Sequence, residues 1–231
     1  MNKLLFSEKM KLADLIAANH NLILMLPRFG IPLGFGDKSV AELCALNSVP
    51  ADFFLLICNV YSFDSYLPEY KTVISTDMRF LLPYLRASHK YYIIERLPHI
   101  EQHLNRIADS AGEKYGKILK RFFADYKNEV SEHFLFEEAT VFPYIESLTA
   151  GRQGVGFRIT DFEKSHNDIE EKLNDLIQII FKYLPANSSQ GDSIGVAFDI
   201  FQLSADLNKH ALIEDKVLVP YVKFLEGKRN E

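Results

Sequence analysis

A His-x-x-x-Glu pair preceded by a distant histidine occurs twice in this chain at identical spacing. The first copy is His89, then His133-Phe-Leu-Phe-Glu137, running on to Pro143-Tyr144. The second is His166, then His210-Ala-Leu-Ile-Glu214, running on to Pro220-Tyr221. The copies are offset by 77 residues; in each, the lone histidine precedes the paired one by 44 positions, and proline follows the paired one by ten. On a helix, residues four apart share a face and lie about 6 Å apart along the axis. Four histidines and two glutamates at matched positions therefore predict two pseudo-symmetric halves that close on one shared centre.

Apolar residues between 82 and 228 recur every three or four positions, the mark of helices with one buried stripe each. Leu82, Leu85, His89, Ile93, Leu97, Ile100, Leu104 and Ile107 trace the first stripe. The second runs Leu119, Phe122, Tyr126, Val130, His133, Glu137 and Val141. The third is Phe162, His166, Ile169, Leu173, Leu176, Ile180 and Tyr183, and the fourth is Val196, Ile200, Leu203, Leu207, His210, Glu214, Val217 and Tyr221. All six repeated histidines and glutamates fall on these stripes, where an ionised carboxylate is normally excluded. Breaks at 109–112, 149–156 and 185–192 separate the helices, and Pro98 predicts a kink in the first. Short links between long amphipathic helices predict an all-α, up-down-up-down four-helix bundle over residues 77–228.

Residues 1–63 predict a small helical domain of their own. A helix is expected from Leu12 to near Pro27, then a turn-rich loop, a second helix opened by a Ser39-x-x-Glu42 capping box, and a third opened at Pro50 and Asp52. A linker containing Pro68 is expected around 64–76.

A net charge of −5 gives no basic footprint for nucleic acid, and no apolar run is long enough for a membrane span. No nucleic-acid or membrane partner is expected, and the N-terminus lacks a secretory signal, so the expected compartment is the cytoplasm. Cys44 and Cys58 are too few for a disulfide framework.

The chemistry of the doubled pattern is that of a metal pair. Buried carboxylates without a counter-charge cost several kcal/mol each, which a bound cation offsets. The donors are imidazoles and carboxylates with no thiolate, which suits iron, with manganese or zinc behind it. With two histidines per ion and both glutamates bridging, each ion keeps about one open position for a small ligand. His103, 14 residues beyond His89 and about 21 Å along the helix, is too far to join that centre; His99 and His103 are themselves four apart. They read as a solvated polar patch, with a surface metal pair the alternative. His20 reads as structural or exposed, and Tyr92, Tyr144 and Tyr221 as core aromatics.

The His89 segment, His133-x-x-x-Glu137-Glu138 leading to Pro143, His166, and His210-x-x-x-Glu214 leading to Pro220 resemble the hemerythrin-like HHE cation-binding domain. Within it, the chain resembles the di-iron family that repairs iron–sulfur clusters. The resemblance implies a bundle holding two iron ions, oxo- or hydroxo-bridged. Its ligands would be His89, His133, His166 and His210, with Glu137 and Glu214 as bridges. It also implies repair of iron–sulfur clusters damaged by nitrosative or oxidative stress, with a hemerythrin-like sensor or carrier of dioxygen or nitric oxide as the alternative. Expected partners are those diatomic ligands and damaged iron–sulfur proteins, and a homodimer is compatible. Members of the repair family carry adjacent cysteines in the small domain, whereas the corresponding turn here is Leu33-Gly34-Phe35-Gly36. Thiol-based transfer is therefore not expected of this chain. Di-iron oxidoreductase activity and a metal-free helical adaptor are the remaining alternatives.

Overall fold

The computed structural model describes residues 5–152, 157–162, 169–183 and 189–228. Regular structure among them is helical, and an isolated bridge pairs Lys11 with Ser39. The short helices are α1 (Leu12–Ala18), α2 (Val40–Leu46), α3 (Ala51–Ser62) and α4 (Tyr70–Ser75). Three long helices each contain a π turn. Helix α5 covers 81–110 with its π turn at Tyr91–Arg96, and α6 covers 113–149 with one at Glu137–Val141. Between them and the last long helix lie α7 (Ile159–Phe162) and α8 (Ile169–Tyr183), and α9 covers 190–227 with its π turn at Glu214–Leu218. No described helix is long and apolar enough to cross a membrane.

The π turns have a common local cause. Pro98, Pro143 and Pro220 each stand two residues beyond the last residue of a π turn. Proline offers no N–H, and its ring collides with the carbonyl four residues back. Widening the preceding turn to i→i+5 bonding moves that carbonyl aside without ending the helix. The kink expected at Pro98 is thus met by a wider turn just before it.

The described residues fall into two compact units, one up to Ser88 together with those from Lys209 on, the other from His89 to Asn208. In the first, α1 stops at Ala18, well short of Pro27, because Asn19 turns extended at φ −146°. Its Oδ1 accepts from the Asn21 N–H at 3.1 Å and its amide donates to Ser62 Oγ at 3.0 Å. The chain then advances in two 3-10 turns that bury Leu22, Met25 and Leu26. The capping box forms as expected: the Glu42 N–H donates to Ser39 Oγ at 3.3 Å and the Ser39 N–H to Glu42 Oε2 at 2.7 Å. The stretch 64–76 carries α4 and is anchored within this unit. Lys216 donates to the carbonyls of Asp64 and Tyr66 at 2.6 and 3.0 Å, and Tyr70 packs edge-on against Phe224.

In the second unit, Leu104 of α5, Tyr126 of α6, Leu176 of α8 and Ile200 of α9 meet in one core, as their stripes predict. The α6 stripe holds at Leu119, Tyr126, Val130, Glu137 and Val141, and the buried face is wider than expected. Phe123 and Phe134 are buried, while Phe122 and His133 are half-buried. At the α5–α6 turn Gly112 adopts φ +81°, and a Cβ on Gly116 would lie 2.3 Å from the Ala108 carbonyl oxygen. Helix α9 begins at Gln190, earlier than the expected break allows, because Ser189 Oγ accepts from the Asp192 N–H at 3.4 Å.

Candidate metal centre

Glu137 opens the π turn of α6 and is fully buried. Its two oxygens face two different histidines. Oε2 lies 2.9 Å from His89 Nε2, and Oε1 lies 2.8 Å from His133 Nε2. Glu214 opens the matching π turn of α9, is equally buried, and places Oε1 3.3 Å from His210 Nε2. The described residues include a buried cluster of two histidines and two glutamates, His89, Glu137, His210 and Glu214. One donor atom from each lies within 4.8 Å of the others. His133 joins it through Glu137. His166 lies outside the described residues.

The second nitrogen of His89 is engaged as well. Its Nδ1 stands 2.9 Å from Glu138 Oε1, and its ring stacks on Phe134 and Phe142 at centroid distances of 4.2 and 5.4 Å. A carboxylate on the far nitrogen is the partner that orients a ligating histidine, and with a cation on Nε2 it would hold the ring proton on Nδ1. The adjacent pair Glu137-Glu138 was visible in the sequence, but its division of labour across one imidazole was not.

The donor set fits a cation. Two donors bound by one ion at about 2.1 Å and at right angles lie about 3 Å apart. The imidazole–carboxylate separations of 2.9, 2.8 and 3.3 Å match that edge. Carboxylates at zero exposure are otherwise hard to retain inside an apolar stripe.

The hemerythrin HHE cation-binding domain matches residues 81–222. The chain belongs to this family. Members bind metal cations, and the cluster around Glu137 and Glu214 could hold one here. No curated protein matches the chain at a significant level.

Other titratable groups stand apart from this cluster. Cys44 and Cys58 are both buried, free thiols. Burial, then the nearby Glu8 and Asp52 carboxylates, pushes the Cys44 thiol up to about 12. Burial drives the Cys58 thiol well above its ordinary value. Neither is a thiolate at neutral pH, so neither is a ready nucleophile or soft metal ligand. Tyr92 is a core aromatic, as expected, and donates its hydroxyl to the Asp206 carbonyl at 3.2 Å. Tyr144 and Tyr221 are half-buried. His99 and His103 do not approach the cluster; they face Asp199 instead.

Proposed function

We propose that this chain is a non-heme di-iron protein that helps repair iron–sulfur clusters damaged by nitric oxide or oxidants. The observation that carries the di-iron reading is Glu137, whose two oxygens each face a different histidine. A carboxylate divided in this way suits two ions rather than one. The full set would be His89, His133, His166 and His210, with Glu137 and Glu214 bridging, in an up-down-up-down four-helix bundle. Iron is the favoured ion, with manganese or zinc behind it. Bound iron would supply redox chemistry and about one open position per ion for nitric oxide or dioxygen. The chain's own groups would bury the ions, hold His89 in one tautomer through Glu138, and balance charge through two carboxylates.

Four histidines anchor the ions with fewer ligands than a saturated sphere would, which favours exchange and hence repair. The client is a damaged iron–sulfur protein, and the expected compartment is the cytoplasm. A second reading, a sensor or carrier of dioxygen or nitric oxide, is favoured by the two cysteines, because buried neutral thiols offer no route for handing iron on. The test mixes the reduced, iron-loaded protein with an iron–sulfur enzyme inactivated by nitric oxide. Recovery that requires Glu137 and Glu214 supports repair. Reversible spectral change on gas binding, with no iron released and no activity regained, replaces repair with sensing.

A further inference from the structure

His99 and His103 lie one turn apart on α5, with ring centroids 4.1 Å apart. Opposite them, on α9, stands Asp199. A single oxygen, Asp199 Oδ2, lies 3.3 Å from His103 Nδ1 and 3.6 Å from His99 Nε2. Both separations exceed the range of a good hydrogen bond to an imidazole N–H. They do match the edge of a tetrahedral site, since two donors held at about 2.1 Å and about 109° lie about 3.4 Å apart. All three donor atoms lie within 4.8 Å of one another.

The carboxylate is held in place. Arg96 Nη2 donates to Asp199 Oδ1 and to the Asp199 carbonyl, both at 3.1 Å, and to Gln202 Oε1 at 2.5 Å. That clamp fixes one carboxylate oxygen and turns the other toward the histidines, as outer partners do for metal-binding carboxylates. The side chains open outward in order: Arg96 is 12% exposed, Asp199 20%, His103 28% and His99 46%. An ion can therefore enter from solvent and keep a water in its fourth position.

We propose that His99, His103 and Asp199 form a second metal site, for zinc or a neighbouring late first-row divalent ion. Two imidazoles and one carboxylate with an open position are a donor set for zinc, copper or nickel rather than calcium or magnesium. The site shares no residue with the buried cluster. His99 lies ten positions beyond His89, about 15 Å along the helix, so the two centres load independently. A bound ion cross-braces α5 to α9 through side chains from both. Arg96 moderates the affinity by offsetting the Asp199 charge, so the site fills at higher free zinc than a site with three unpaired ligands.

Equilibrium dialysis of the full chain against zinc alone tests this. Wild type retains one more zinc ion per chain than the His99→Ala/His103→Ala double variant, and Asp199→Asn binds that ion at least about tenfold more weakly. Equal zinc content in wild type and double variant overturns the proposal. A second measurement needs no variant. In the ring-nitrogen NMR spectrum of wild type, zinc shifts His99 through Nε2 and His103 through Nδ1. Zinc uptake that leaves both rings unshifted also overturns it. Because the buried-cluster residues are unchanged throughout, failure here leaves the di-iron reading standing.

Discussion

Replacing Glu138 by Gln tests whether the far nitrogen of His89 matters. The substitution keeps the shape and removes the charge that faces Nδ1 at 2.9 Å. Loss of such an outer partner typically weakens metal binding about 10- to 100-fold, or about 1.4 to 2.8 kcal/mol. The Glu138 side chain is 34% exposed, so water can partly replace the lost charge, and the effect belongs at the lower end. Phe134 and Phe142 still hold the imidazole by stacking, so the ring stays in place and the fold is kept. The expected result is an iron(II) affinity about tenfold below wild type, measured without air by competition with a chromogenic chelator. Circular dichroism and the urea midpoint should be unchanged. An affinity within about twofold of wild type in a folded protein would refute the claim that Glu138 sets the His89 tautomer.

Glu137→Ala should lower iron content by more than half, since one carboxylate serves both proposed ions, whereas His103→Ala should leave iron content unchanged; metal analysis after loading distinguishes them. Gly116→Ala should destabilise the fold by about 1–3 kcal/mol in urea titration, because a Cβ 2.3 Å from the Ala108 carbonyl outweighs the gain in helix propensity. A more stable variant would show that α5 and α6 can separate at no cost. Neither thiol should react with a disulfide reagent at neutral pH until denaturant is added. Because the Cys44 thiol is raised from 9.0 to about 12, the unfolded chain loses its proton first. Its stability contribution is therefore intact below pH 9 and declines as pH climbs toward about 12. A thiol count above zero in the native protein would contradict this burial.

Much of this architecture was written in periodicity. Stripes such as Ile100–Leu104–Ile107 predict a helix and its inward face together, because burial follows the 3.6-residue repeat. The capping box at Ser39 and Glu42 was legible because both partners lie within one turn. Asn19 was not, because its helix-ending role depends on Ser62, 43 positions away. The Ser189-x-x-Asp192 start of α9 was a readable signal hidden in a run of loop-forming residues. For the site, the doubled spacing exposed Glu137 and Glu214, whereas Asp199 belongs to no motif and became visible only when α9 was placed opposite His99 and His103.

The π turns give Glu137 and Glu214 a mechanical role. One additional residue in a turn resets the azimuth of everything beyond it by about 100°. The segments before and after each π turn are therefore phased differently, like two gears cut on one shaft. Each of these carboxylates sits at the tooth where the phase change begins. Regular α-winding would swing the downstream residues away from their present seats, and proline two positions beyond the turn blocks that rewinding. A cation held by either carboxylate would tighten its wide turn from within. Amide exchange at 137–141 and 214–218 should then slow on loading, and the occupancy of the centre would be readable as the stiffness of two short stretches of backbone.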